Sequence, residues 1–489
     1  MGEENSAVYD VAVVGGGVVG CAVLRELSRY DLKLLLVERE SDLAEGVSKG
    51  NSGVIHAGFN VPAGSLKAKT NVAGLGLIYA LAAELGVPHR KTGKLVVALE
   101  DEGRSRLEEL MAEGEKSGVH GLEIVDAAAI GRLEPQAHGC WALHSPQTGI
   151  ISPYEFTYAL AENAWQNGAT VMLEAPVEAV GFAEGLFRLS TPKGIFAARR
   201  VVNSAGLFSD EVARLAGSGD YRIRPYRGEY LITDKDYGLG LAMPVYPVPP
   251  RDDPGLGIHI TPTLEGHIIL GPSAEPVGDK RDLASTREVA ARLKAEASRL
   301  MPGLARISFI HSYTGIRPKL VDPDGEGGFG DFVVAESAAR PGWIDLVGIE
   351  SPGLTAAPAI AVMVAGMIGA GLDLRPKPDF EPGRPVERRF AVLDDAAREA
   401  RVSVDADWGE MVCRCEHVTR AEVVAALRNP FGARTLDAVK RRTRCGMGRC
   451  QGGFCGPRLV EILRDEGVPV DGITKRGGGS RLFYGRLKG

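Results

Sequence analysis

Cysteine is scarce through most of this 489-residue chain: of seven in all, only Cys21 and Cys140 precede the last eighty positions. The body of the protein is therefore expected to bury a large interior without disulfide staples. Aromatic residues are few as well, 6% of the total, with 14 Phe against 63 Gly. That balance points to many tight turns and close backbone approaches, as nucleotide-binding folds require. No basic, apolar leader opens the chain, since MGEENSAVYD is acidic and polar, and a cytoplasmic location is expected. Nor is there a long uninterrupted apolar run. The most apolar stretch, 355–372, is rich in Ala and Gly and carries Pro358, which reads as buried helix and not as a transmembrane segment. Net positive charge is lacking too: the formal charge of −6 argues against a nucleic-acid partner.

The charge that is present is unevenly spread. Residues 411–489 hold 16 Lys and Arg against 7 Asp and Glu, so the tail is basic and the remainder acidic. Length alone predicts about two to four domains. The segment 375–387 (RPKPDFEPGRPVE) has four prolines and reads as a stiff linker.

The start of the chain has the pattern of a dinucleotide site. Tyr9 to Val14 is a short apolar run, Gly15-Gly16-Gly17-Val18-Val19-Gly20 follows, and a helical pattern begins at Cys21. In such a strand–turn–helix unit Gly15 permits the tight turn, Gly17 lets the backbone reach a pyrophosphate, and Gly20 lets helix and strand pack closely. A second apolar run, Lys33 to Val37, ends at Glu38, about twenty residues on, where a carboxylate can accept from a ribose hydroxyl.

Just beyond comes a loop of small residues with one imidazole, Gly50-Asn51-Ser52-Gly53-Val54-Ile55-His56-Ala57-Gly58. With this loop the chain resembles the D-amino-acid-oxidase-like superfamily of FAD enzymes, and within it the branch of anaerobic glycerol-3-phosphate dehydrogenase large subunits and L-2-hydroxyglutarate dehydrogenases. The resemblance runs to about residue 375. It recurs at Val202-Asn203-Ser204-Ala205-Gly206, Tyr226-Arg227-Gly228-Glu229-Tyr230, Gly257-Ile258-His259-Ile260-Thr261-Pro262, Gly315-Ile316-Arg317-Pro318 and Gly348-Ile349-Glu350-Ser351-Pro352-Gly353-Leu354-Thr355. It implies FAD held by Gly15, Gly17, Gly20, Glu38, Asn51, Ser52, Gly53, Ala205, Gly206, Gly348, Gly353, Leu354 and Thr355. The last group would offer free N–H groups at the start of the Ala-rich helix, whose dipole suits negative charge on a reduced flavin.

Removing hydrogen from an alcohol carbon also calls for a base and for a clamp on the substrate's anionic group. His56 and His259 are the candidate bases, both set among glycines in the shared motifs. Arg317 is the first choice for the clamp because a guanidinium offers a two-pronged fork to carboxylate or phosphate, and Arg227 is the second. Lys67, Lys69 and Lys319 are weaker candidates.

The remaining cysteines, Cys413, Cys415, Cys445, Cys450 and Cys455, fall within 43 positions. Thiolate ligation is expected, and C-x-C followed by C-x4-C disfavours zinc without removing it, while soft thiolates in glycine-rich loops also suit iron and sulfide. The region resembles the bacterioferritin-associated-ferredoxin-like [2Fe-2S] domain, a resemblance that assigns Cys413, Cys415, Cys450 and Cys455 as ligands and leaves Cys445 spare, or in place of Cys455. Helical patterns follow each half, at 420–427 and 457–463. Arg441, Arg442, Arg444 and Arg449 either offset the anionic cluster or form a plain solvated face.

The expected architecture is α/β: a Rossmann-type FAD-binding domain (about 8–75, 151–220 and 341–375) with an interleaved α+β substrate domain (about 76–150 and 221–340), together spanning 1–375. A linker at 376–410, a small helical [2Fe-2S]-binding domain at 411–470 and a basic Gly-rich tail at 471–489 complete it. The resemblance implies a dehydrogenase for a small anionic 2-hydroxy compound, glycerol 3-phosphate first and L-2-hydroxyglutarate second, with electrons leaving through the cluster to partner subunits or a quinone-linked acceptor. A third reading is a flavin and iron–sulfur electron-transfer module with no small-alcohol substrate.

Overall fold

The computed structural model describes residues 4–235, 239–249, 257–322 and 328–485; the end of the glycine-rich tail, 486–489, lies outside them. The N-terminal strand Glu4–Val14 lies at the centre of the first sheet. It runs parallel to Leu34–Val37 on one side and Gly194–Asn203 on the other, and Thr170–Met172 and Trp343–Val347 extend the parallel set. Strands of this kind, covered on both faces, are built from continuous apolar runs, and Leu34–Val37 is buried at every position. The helices Val18–Leu27, Leu66–Glu84, Pro153–Gln166 and Gly353–Gly369 pack over it. The last of these is the Ala-rich stretch. It is continuous through Pro358 and buries Ala356, Ala357, Ile360, Ala361 and Val364, which is why its sequence is apolar without being membrane-spanning. Among the described residues no helix is long and apolar enough to cross a membrane.

A second, nine-stranded sheet forms the roof. Its long antiparallel pair, Ile223–Thr233 with Phe309–Leu320, sets Tyr230 opposite Tyr313, Gly228 opposite Gly315 and Tyr226 opposite Arg317. The chain crosses between the two sheets four times, so the roof strands come from 95–144 and 223–320 and the floor from 4–37, 170–203 and 333–347. The floor and roof have separate apolar cores.

The segment read as a linker is strapped to the floor. Asn163 Nδ2 donates to the carbonyls of Glu381 and Gly383, Arg384 pairs with Glu162, and a helix, Asp395–Val404, follows. Beyond it a small domain holds the helices Arg420–Arg428, Leu436–Thr443 and Gly456–Asp465; the middle one has no counterpart in the sequence reading. The first is opened by a capping box between Thr419 and Glu422.

The basic tail is basic because it docks on the acidic body. Arg442 donates to both oxygens of Asp42, at 2.6 and 2.7 Å, and Arg441 donates to the Tyr158 hydroxyl at 2.8 Å and pairs with Glu45. Asp42 is fully buried; burial pushes its carboxyl up, but the two guanidiniums outweigh this and hold it below the ordinary carboxylate range. Arg449 pairs with Asp234, and Arg444 with Glu265 and Glu416. Arg441, Arg442 and Arg444 are therefore part of a buried interdomain lock, whereas Arg449 reaches Asp234 from a largely exposed position. Asp42→Ala leaves the buried Arg442 guanidinium without its carboxylate, and a loss of about 3–5 kcal/mol is expected. Denaturant titration of the holoprotein would read it as a lower midpoint for the C-terminal transition.

Candidate functional site

The glycine turn sits where the N-terminal strand meets its helix. A Cβ on Gly20 would overlap the Gly15 carbonyl oxygen and come within 2.5 Å of Ser204 Oγ, so only glycine allows this approach. Glu38 ends the neighbouring strand and lies against the same turn, accepting from the Gly16 N–H at 2.6 Å and the Glu40 N–H at 2.9 Å; burial raises its pKa. Ala205 and Gly206 follow the parallel strand Gly194–Asn203 on the other side of the turn. At the same carboxyl edge of the floor, after the parallel strand Trp343–Val347, the first-turn amides of Leu354 and Thr355 find no acceptor among the described residues.

The loop 50–53 is held from behind. Asn51 uses its side chain on the loop itself, donating to the Val47 and Ser48 carbonyls and accepting from the Gly53 N–H at 2.8 Å, while Tyr313 donates its hydroxyl to the Asn51 carbonyl at 2.9 Å. Gly315 presses on Gly50 so closely that a Cβ there would overlap the Gly50 carbonyl oxygen. The loop is thereby clamped to the roof strand, and Arg317, two positions on, projects from the same strand face.

His56, next in line, is fixed through its backbone: its N–H donates to Thr355 Oγ1 at 2.9 Å and its carbonyl accepts from Asn71. Its ring has no hydrogen-bond partner among the described residues. Burial, with Lys94 and Arg317 adding positive charge, pushes the imidazole down to about 3. His259 differs: its Nδ1 lies 3.3 Å from the Gly257 carbonyl, its Nε2 lies 3.4 Å from Ser52 Oγ, and its ring stacks on Tyr246 at 3.9 Å. Burial, then Arg317, His56 and Lys94, drive its pKa well below the ordinary value. Both imidazoles are neutral at pH 7.

The cation candidates separate by register. Arg317, half-buried, has no carboxylate partner among the described residues. Arg227 faces Ile316 across the pair and so lies on the opposite face of the sheet, where it donates to Asp282 at 2.6 Å and meets Glu229 at 3.3 Å. Lys67 and Lys319 share the Glu350 carboxylate at 2.9 and 3.7 Å. Lys94 was not singled out in the sequence, although a lysine heading a strand as apolar as Leu95–Ala98 is itself a signal. It is 1% exposed, and burial pushes its ammonium down to about 7.

In the small domain, Cys413 ends a short strand, Cys445 follows the left-handed Arg444, and Cys455 precedes the last helix. Their sulfurs lie within 4.8 Å of one another. Cys415 and Cys450 form a second contact pair beside them, with Cys450 exposed. Hydrogen bonds from the Cys445 and Cys455 thiols and from the Gly446 and Glu416 amides pull Cys413 strongly towards thiolate. Soft donors ringed by backbone amides fit an iron–sulfur group. A cavity of about 270 Å³ separates the flavin-side loop from this cradle, lined by Asn51, Tyr154, Tyr313, Lys440 and Met447 among others. Across it the Tyr154 hydroxyl lies 3.8 Å from Met447 Sδ.

The family model for FAD dependent oxidoreductases matches residues 10–367. The chain belongs to that family. A second model, for the BFD-like [2Fe-2S] binding domain, matches 411–465. This FAD-dependent oxidoreductase therefore carries a second redox cofactor, a [2Fe-2S] cluster, and hands electrons on to an acceptor. The glycine turn, Glu38 and the free amides at Leu354 and Thr355 fit FAD, as the thiols fit the cluster. The oxidoreductase is 37% identical to the glycerol 3-phosphate dehydrogenase of Caloramator mitchellensis, over 98% of this chain and 99% of that one. To the mitochondrial L-2-hydroxyglutarate dehydrogenase of Caenorhabditis elegans it is 40% identical, over 54% of this chain and 63% of that one. Among solved structures it superposes on the FAD-bound L-alpha-glycerophosphate oxidase of Mycoplasma pneumoniae with a TM-score of 0.72 and 29% identity, covering 78% of this chain and all of that one.

Proposed function

We propose that this oxidoreductase converts glycerol 3-phosphate to dihydroxyacetone phosphate and passes the electrons through its cluster to a protein or quinone-linked acceptor. The carrying observation is the unpaired guanidinium of Arg317, on the sheet face that is clamped to the loop 50–53. It binds the substrate's anionic group, and the forked geometry orients the carbinol. His56, neutral and with its ring nitrogens unengaged, takes the hydroxyl proton, whereas His259, held by Gly257, Ser52 and Tyr246, positions the pocket wall. When bound, FAD supplies the two-electron acceptor and the [2Fe-2S] cluster the one-electron relay. For the cluster, Cys413, Cys415, Cys450 and Cys455 are the ligands, and Cys445, packed against two of them, is the spare thiol or the substitute for Cys455.

Full-length similarity to a glycerol 3-phosphate dehydrogenase supports this substrate over L-2-hydroxyglutarate, which the second set of relatives favours. An electron-transfer module with no small substrate has no use for an uncompensated cation beside two neutral imidazoles. The enzyme works in the cytoplasm, at the inner membrane face where companion subunits carry electrons to quinone. Anaerobic titration of the holoenzyme with each compound decides: glycerol 3-phosphate bleaches the flavin at stoichiometric addition and L-2-hydroxyglutarate does not. The reverse result selects the second substrate, and bleaching by neither rejects both.

A further inference from the structure

Lys94 is clamped at its backbone in both directions, its N–H donating to the Ser145 carbonyl at 3.0 Å and its carbonyl accepting from the Ser145 N–H at 2.9 Å. The direction of its side chain is therefore set by the sheet. Its Nζ ends 4.3 Å from the centroid of Phe59 and 4.4 Å from that of Tyr246. Tyr246 in turn stacks on His259, and its own hydroxyl is buried with no hydrogen-bond partner. No carboxylate and no hydrogen-bond acceptor reaches Lys94 Nζ among the described residues.

A buried ammonium in this state is under-compensated. Two ring faces return only part of what the ion loses on leaving water, since neither replaces the hydrogen bonds of its lost hydration. Several buried cations are paired, Arg25 with Glu84, Lys319 with Glu350 and Arg442 with Asp42. Lys94 and Arg317 have no such carboxylate among the described residues, and both act on the rings of His56 and His259. They come from different strands of the roof, Lys94 at the head of Leu95–Ala98 and Arg317 within Phe309–Leu320. A monoanionic substrate would satisfy one of them and leave the other bare.

We propose that Lys94 is a second anion-binding residue of the substrate pocket, so that the pocket selects a substrate carrying two negative charges. The inference rests on the reading of this site as a pocket for a small anionic alcohol, and it deepens that reading to a dianion. A phosphate ester and a dicarboxylate share the chemistry, and the ligands used in the test distinguish them. Arg317 supplies the forked contact and Lys94 the point charge, a division that matches the geometry of guanidinium and ammonium.

Calorimetry on the oxidised, FAD-loaded enzyme tests this without turnover. The probes are dihydroxyacetone phosphate and 2-oxoglutarate as dianions, with 2-oxobutyrate as monoanion and dihydroxyacetone as neutral control. In the wild type one dianion binds at least about 10-fold tighter than 2-oxobutyrate, and which one it is names the source. Lys94→Met weakens that dianion on the order of 10- to 100-fold and leaves the monoanion within about 3-fold, while Lys94→Arg restores part of the loss. A Lys94→Met enzyme that holds its dianion as tightly as the wild type overturns the proposal. Should that variant not retain FAD, the wild-type ratio decides alone, and a dianion bound no better than 2-oxobutyrate overturns it equally. Wild-type enzyme that binds none of the anions defeats the underlying reading of the pocket instead.

Discussion

Replacing Arg317 by Leu lowers kcat/KM for the hydroxy substrate by roughly 30- to 3000-fold, the effect of removing one member of a buried charge-assisted pair. The size of the loss follows from two facts about the guanidinium. It stands beside neutral imidazoles in a pocket that offers it no carboxylate among the described residues, and a leucine there leaves the substrate anion without its forked partner. FAD content is unchanged, because none of the residues that fit the cofactor lean on Arg317. Arg317→Lys recovers only part, since an ammonium keeps the charge and loses the fork. The variant also moves the pH profile. Arg317 is one of the positive neighbours that hold His56 down to about 3 and His259 well below its ordinary value. A cation beside an imidazole disfavours the protonated ring, so its removal raises both pKa values and shifts the acid limb of kcat/KM to higher pH. Unchanged dye reduction with every small hydroxy acid, or an acid limb that stays in place, would show that Arg317 is not the clamp.

Cys413→Ser abolishes the second redox centre. Cys413 is the hub of the thiol group: it meets Cys445 and Cys455 directly and collects the Gly446 and Glu416 amides. A serine oxygen is a harder, weaker ligand for iron, so non-haem iron and labile sulfide fall to near zero while flavin content stays at wild-type level. Substrate still bleaches the flavin in a single turnover, but delivery of electrons to a one-electron acceptor stops. Cys445→Ala separates the ligand sets. Full iron and sulfide in that variant assign the cluster to Cys413, Cys415, Cys450 and Cys455, and loss of both assigns Cys445 in place of Cys455. Four thiolates holding zinc, with no absorption beyond flavin in the wild type, would remove the relay altogether.

Arg227 and Arg317 show where sequence reasoning reaches its limit. Both sit in glycine-bearing motifs and look equally able to bind an anion. A strand alternates faces every residue, and the pairing of Tyr226 with Arg317 turns Arg227 to the far side, where Asp282, 55 residues away, neutralises it. Lys94 was passed over for a related reason, because burial is a property of what lies above a strand and not of the strand itself. The tail arginines follow the same rule: Asp42, which holds Arg441 and Arg442, lies 400 residues upstream of Arg442.

By itself the amino-acid sequence determined the strand, glycine turn, helix and acid at the start of the chain, the order of the later glycine motifs, the thiol-rich end and the opposite charge of body and tail. Each of these is a local demand, made by backbone angles, close approach or ligand spacing, and so is written in adjacent residues. Only the tertiary structure decided which cations stay unpaired, which histidine keeps a free ring, and that Cys445 packs against Cys413 and Cys455. Charge compensation is a contest among groups distant in sequence, and its outcome is fixed only when the two sheets and the docked domain bring those groups together.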